Sequence, residues 1–274
     1  MGQALDVMSE QSQADSHSMY IQCLQNLSIA SKILAHHGIV DGFGHVSCRD
    51  PRSPKEHFLL SRNLAPALVE PEDIVPWRIS DAEPVHPDSP RGFLERCIHS
   101  EIYRKVSNSC ISLQFDDVEA VIHFHSLSII PFGLMEIPFK AAYHMASFLG
   151  SEPAPIFEIR DSFGPTTDML IRNTTQGEAL ASLFKEESHT RPLVLMRGHG
   201  ATLVAPSLKL AVFRAIYTQD NAKILTNLAS LAGGVDPLHL ARYLSKEECE
   251  ASAESNSGQV LRAWDVWCKE LEEK

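Results

Sequence analysis

The sequence has no apolar run approaching the roughly 18 residues that a membrane-spanning helix requires, and no basic cluster anywhere along its 274 residues. The first absence argues against a helical membrane span. The second, with a net charge of −11 from 24 Lys+Arg against 35 Asp+Glu, argues against a nucleic-acid or anionic-membrane surface, because phosphates require basic patches. Also missing are a Gly/Ser- or Pro-rich linker, an internal repeat of fixed period and any CxxC pair. The six cysteines (Cys23, Cys48, Cys97, Cys110, Cys249, Cys268) lie far apart, a pattern expected of reduced thiols in the cytoplasm. The opening stretch, MGQALDVMSEQSQADSHSMY, is polar and acidic without the apolar core of a signal peptide. Asp6 stands where an N-terminal acylation site wants Ser or Thr. Residues 1–16 are expected to form a disordered lead-in, and 17–274 one domain.

Against these absences stand thirteen histidines and an ordinary globular composition, 44% hydrophobic and 22% charged. Residues 19–37 carry apolar positions at helical spacing, with Gly38 as a cap. Strands are expected in GHVSCRDP, HFLLS, PEDIVPWRI, VEAVIHFHS and APIFEI, with RPLVLMRGHGATLVAP as two strands around a tight glycine turn. IPFKAAYHMASFLG reads as a strand end leading into a helix. Further helices are expected over residues 91–105, DMLIRNTTQGEALASLF, SLKLAVFRAIYTQDNAKILTNLASLAGG and the tail QVLRAWDVWCKELEEK. The order lacks a clean βαβ repeat. It predicts an α/β fold, a single three-layer domain whose central, mostly antiparallel sheet is covered by helices.

The sharpest local signal is His123-Phe124-His125. Alternate side chains of a strand point the same way, so both imidazoles face one side and suit Zn²⁺, Mn²⁺ or Fe²⁺. Taken alone, HxH is a weak motif that reads more readily as two unrelated histidines, or as one packed and one exposed. Arg197-Gly198-His199-Gly200 adds a third imidazole, in a turn whose glycines allow sharp bending and close approach. Three histidines leave coordination positions open, which is the pattern of a catalytic site. Glu95 is a candidate general base on the 91–105 helix, four residues before His99 and on the same face. Alone, it reads as a solvated helix glutamate. The segment from Gly42 to Ser47 is either a ligand-binding loop or a plain turn.

In this order the segments resemble the class II aldolase/adducin family, on GHVSCRDP, LERCIHSEIYRK, AVIHFHS, AAYHMASFLG and VLMRGHGATLVAP. The resemblance runs from about Leu24 to Trp267. It implies a fuculose phosphate aldolase-like fold, one divalent transition metal on His123, His125 and His199, and Glu95 as acid/base. It also implies a homotetramer with sites between subunits. The tyrosine that the sugar-phosphate aldolases take from a neighbouring subunit falls at His144, which is able to transfer protons near neutral pH. Glu101 is left with a surface or structural role.

The departures are informative. Phe93-Leu94 stand where those aldolases place phosphate-binding hydroxyls, His45 replaces the Asn of a GNxS loop, and the phosphate loop reads Ser61-Arg62-Asn63. A phosphate needs several donors at once, so a sugar phosphate is not expected. His45, Ser47, Ser61 and Arg62 are instead candidates for binding a small-molecule carboxylate. The GHxS, YHMA and RGHG combination is more similar to the family's decarboxylase branch. The expected function is a metal-dependent carbon–carbon lyase, a decarboxylase or retro-aldolase acting on a non-phosphorylated oxo- or hydroxy-carboxylate. Zinc or manganese is the expected metal, with Fe²⁺ possible. The rivals are an Fe(II)-dependent oxygenase on the same fold and a non-catalytic adducin-like interaction module. Between His99 and His123 the chain carries about nine residues more than the sugar aldolases, around SNSCISLQF, read as a surface loop or an artefact of the gene boundaries.

Overall fold

Alternation along the strands decides which side of the sheet each residue meets. The computed structural model describes residues 2–107, 118–135, 137–184, 192–234 and 241–273, with the side chains of residues 2–15, 106 and 107 excepted. The strands are β1 (His45–Arg49), β2 (His57–Ser61), β3 (Ile74–Arg78), β4 (Ala120–Phe124), β5 (Ile156–Phe157), β6 (Leu193–Met196) and β7 (Gly200–Ala205). They form one sheet in the order β3-β2-β1-β4-β7-β6-β5, antiparallel throughout except where β5 pairs with β6. The helices are α1 (Gly2–His36), α2 (Cys97–Ser107), α3 (Ile130–Leu134), α4 (Ile159–Phe163), α5 (Thr174–Ala181), α6 (Leu208–Leu231), α7 (Lys246–Ser257) and α8 (Val260–Glu272). Among the described residues this is the expected layered fold, a mostly antiparallel sheet with helices on both faces.

Two apolar clusters lie on opposite sides of the sheet. Val46, Cys48, Ala120, Ile122, Phe124, Ala201 and Leu203 point to the first, where they pack on α1, α6 and α8 through residues such as Leu27, Ile33, Leu34, Phe213, Trp264 and Trp267. Val121, Val194, Met196 and Val204 point to the second, against Ile98, Ile102 and Tyr103 of α2 and Leu180 of α5. Buried aliphatic and aromatic side chains of this size contribute about 1.5–3 kcal/mol each, so both faces are strongly held. The same two-residue period sends His45, Ser47 and His123 towards α2. Trp264 and Trp267, three apart on α8, bury into their own chain, the commoner fate for such residues.

Several local expectations differ from the structure. α1 begins at Gly2, and the anticipated boundary between residues 16 and 17 coincides with no break in the helix. Burial of its apolar face starts at Leu27. No strand forms in residues 137–143; backbone groups there bond elsewhere, including Ala142 N–H to the Asn221 side chain, and a 3₁₀ turn runs His144–Leu149. The helix expected from Asp168 starts at Thr174, because the Asn173 side chain caps it by accepting from the Gln176 amide. The extra segment around residues 107–115 falls, beyond Ser107, outside the described residues. No helix among them is long and apolar enough to cross a membrane.

The β6–β7 turn needs both of its glycines. Gly198 adopts φ +64, a left-handed conformation that side chains disfavour. A Cβ on Gly200 would lie 2.1 Å from the Phe124 carbonyl oxygen, so β7 approaches the end of β4 this closely only when residue 200 is glycine. Gly200→Ala is therefore expected to destabilise the fold by about 1–3 kcal/mol, measured by denaturant unfolding against wild type.

Candidate active site

Each member of the site is delivered by a different piece of chain. His123 is on β4, opposite His45 of β1 on one side and Thr202 of β7 on the other. His125 lies two residues on, just past the strand end and on the same face. His199 is carried in by the glycine turn, which closes through His199 N–H to the Met196 carbonyl at 3.0 Å. Glu95 is not within a helix, as the sequence pattern suggested. It sits in the turn preceding α2, because Gly92 is pressed against Trp77 and α2 begins only at Cys97. The turn bonds of Ile98 N–H to Glu95 and His99 N–H to Arg96 feed into the helix.

These four residues converge. The His123 Nε2 lies 2.9 Å from the His125 Nε2, and the His199 Nε2 lies 3.1 Å from it. Glu95 Oε2 is 3.5 Å from the Nε2 of both His123 and His199. Its other oxygen, Oε1, accepts from the buried Ile171 amide at 3.0 Å. The anchoring of Oε1 leaves Oε2 aimed at the imidazoles.

The outer partners of the rings set their tautomers. His199 Nδ1–H donates to the Met169 carbonyl at 3.0 Å. Thr202 donates to the Met196 sulfur, leaving its lone pairs for His123 Nδ1–H at 3.3 Å. Both rings therefore present a bare Nε2, and partners of this kind are what fix metal-binding imidazoles. A neutral His125 has at most one proton on Nε2, so at least one of its two short contacts sets lone pair against lone pair. A cation between the rings removes that repulsion. The spacings bracket roughly 3.4 Å, the edge of a tetrahedron with bonds of about 2.0–2.1 Å. The three imidazoles, with the Glu95 carboxylate oxygen within 4.8 Å of them, thus fit a divalent transition metal and leave Glu95 beside it.

Behind the site runs a buried polar chain. His45 Nδ1 is 2.6 Å from His99 Nε2, His99 Nδ1 is 2.6 Å from Ser47 Oγ, and Ser47 Oγ is 2.8 Å from the Tyr103 hydroxyl. Burial, then the positive field at His123, pushes His99 down to about 3. His99 is thus neutral, donating through one nitrogen and accepting through the other, and the tautomers of His45 and His99 are linked. His45 also stacks near Phe93 and His123, at ring separations of 4.6 and 5.1 Å.

Ser47 is fully buried with its hydroxyl engaged by His99 and Tyr103. Ser61 is buried at the end of β2. Arg62 donates to Asp73 at 2.7 Å. His144 is exposed at the start of its 3₁₀ turn; among the described residues no hydrogen bond or ring contact joins it to the four-residue cluster. Glu101 is buried and pairs with Arg104. Sequence reasoning missed the segment Met169–Ile171, which holds both His199 and Glu95, and the structural parts played by His99 and Tyr103. The Asn173…Gln176 capping pattern was the available signal that residues 168–172 form a loop.

The sequence profile of the "Class II Aldolase and Adducin N-terminal domain" matches residues 25–226. The chain belongs to that family. It is 37% identical over 251 residues to the decarboxylase tropJ of Talaromyces stipitatus, covering 88% of this chain and 90% of that one. It is 27% identical over 225 residues to the 3,4-dihydroxyphthalate decarboxylase of Arthrobacter keyseri, covering 77% and 81%. The fold is similar to that of L-fuculose 1-phosphate aldolase from Glaciozyma antarctica, with TM-score 0.67 at 16% identity over 94% and 93% of the chains. The family member is accordingly an enzyme, a lyase, and the adducin-like scaffold reading is set aside.

Ionisation of the site predicts its acid sensitivity. Burial, followed by the fields of His123 and His199, pushes His125 down to about 4. Burial alone would raise the Glu95 carboxyl, but His123 and His199 outweigh it and hold Glu95 well below the usual range. Burial opposes protonation of His199, yet Glu95 raises it overall. Unfolding returns His99 and His125 to the ordinary 6.5, so below that pH the unfolded chain binds protons that the folded chain does not. Glu95 acts in the same direction below 4.5, and within the four-residue cluster only His199 opposes. The metal-free protein is expected to lose unfolding free energy steadily from pH 6.5 to 4, measured by urea unfolding at several pH values.

Proposed function

We propose that this lyase decarboxylates a non-phosphorylated hydroxy-carboxylate, with an aromatic one as the preferred class, using one divalent transition metal. The observation that carries the reading is the convergence of His123, His125 and His199 Nε2 with Glu95 Oε2. Zinc and manganese fit the mixed nitrogen–oxygen donors, and Fe²⁺ fits them too. The two decarboxylase relatives support decarboxylation over retro-aldol cleavage. Phe93 is buried against His45, and Arg62 is engaged by Asp73, so a phosphate group would find few free donors here.

A metal on the three imidazoles would act as a Lewis acid for the substrate oxygen on which charge develops as the carbon–carbon bond breaks. The chain's own residues do the rest. Glu95, held as a carboxylate, accepts the substrate hydroxyl proton through Oε2 and returns it to the carbon that loses CO₂. Ile171 N–H keeps Oε1 engaged, so the proton moves through one oxygen only. His45, whose tautomer is tied to His99 and whose ring lies beside His123, would orient the substrate carboxylate. The protein is proposed to work in the cytoplasm as a homotetramer. The exposed His144 would then serve a neighbouring subunit's site, and the exposed Leu127, two residues beyond His125, and Leu134, beside Gly198, would help cover it.

Purified protein supplied with Mn²⁺ or Zn²⁺ and a panel of carboxyl-labelled hydroxybenzoates and hydroxyphthalates should release labelled CO₂. Glu95→Gln is expected to lower kcat about 10²–10⁴-fold, the usual contribution of a positioned acid–base group. Release of an aldehyde in place of CO₂ would favour retro-aldol cleavage. Substrate-dependent O₂ consumption would favour the oxygenase.

A further inference from the structure

On the opposite face of β1 from His45 and Ser47, Cys48 points to α1 and meets Cys23. Their sulfurs are 2.9 Å apart across 25 residues of sequence, less than one ångström beyond a disulfide bond length of about 2.05 Å. Among the described residues no other pair of cysteines is in contact. The two thiols also differ. Cys48 is buried, while Cys23 is half-buried, and both border a cavity of about 480 Å³, lined in addition by Ser18, Gln22, Asn26 and Glu119. A small oxidant thus has a route to Cys23.

We propose that Cys23 and Cys48 are a site of disulfide formation, closed by exchange with a low-molecular-weight disulfide of the glutathione type. Cys23 is the attacking sulfur. The hydrogen bond from Cys48 lowers its pKa, against burial, while the same bond and then burial raise that of Cys48; the thiolate is the nucleophile in such exchange. The Cys23 thiolate attacks one sulfur of the oxidant, forming a mixed disulfide and releasing one thiolate. Cys48 then loses its proton and attacks Cys23 Sγ, releasing the second. Two protein thiols are oxidised to one disulfide, and one small disulfide is reduced to two thiols, which take up the two protons. The bond joins α1 to β1. Because the sulfurs already touch, the strand that carries His45 and Ser47 barely moves.

The test is peptide mapping of the full chain after incubation with oxidised glutathione and alkylation of remaining thiols. The expected result is a linked peptide containing Cys23 and Cys48, lighter by two hydrogens and split by dithiothreitol, with a higher thermal midpoint and unchanged turnover. Cys48→Ala should accumulate a glutathione adduct on Cys23, and Cys23→Ser should leave Cys48 unmodified. A stable glutathione adduct on wild-type Cys23 without the linked peptide would overturn the proposal. So would recovery of both cysteines fully alkylated. The wild-type map decides the matter even if a variant fails to fold.

Discussion

Three imidazole nitrogens are crowded around one point inside a protein, two of them with their outer nitrogen already donating to Met169 or Thr202. Both face the His125 Nε2 at 2.9–3.1 Å, and whichever tautomer His125 adopts, at least one contact sets lone pair against lone pair. Such an arrangement is unfavourable unless positive charge sits between the rings. Glu95 completes the set with one oxygen turned inward and one held by the Ile171 amide. Much of the surrounding architecture maintains this crowding: β4 supplies two rings at a two-residue period, and the Gly198–Gly200 turn delivers the third.

The sheet is what makes that economical in sequence. A single register across β1, β4 and β7 sets His45, His123 and Thr202 in one row, while the alternate residues fill an apolar face on the far side. One strand thus contributes both to core packing and to the site. Behind the row, His99, Ser47 and Tyr103 satisfy His45 in a place where an unpaired polar atom would cost about 1–3 kcal/mol. The polar chain therefore holds His45 in place beside His123.

The seven strands of the sheet, the histidine pair and the glycine turn were legible in the sequence because they rest on local period and residue type. Glu95 was legible as a residue but not in its setting. Its turn is created by Gly92 against Trp77, a tertiary contact 15 residues away in sequence. The Met169–Ile171 segment was not legible at all, since it acts through backbone groups that any residue carries. Ser47 illustrates the same limit from the other side: a hydroxyl beside a glycine loop suggests ligand contact, but the strand period turns it into the core. His144 differs again. Its exposure follows from the chain alone, and its proposed role depends on a second subunit.

The central claim is that the three imidazoles hold one metal and that the lyase reaction needs it. The most direct measurement is metal content by mass spectrometry alongside CO₂ release, for wild type and for His125→Ala, before and after chelation. The account predicts about one equivalent of a transition metal in active wild type, little in His125→Ala, and activity that disappears on chelation and returns with the metal. Full decarboxylase activity in chelated wild type carrying less than about a tenth of an equivalent would contradict it.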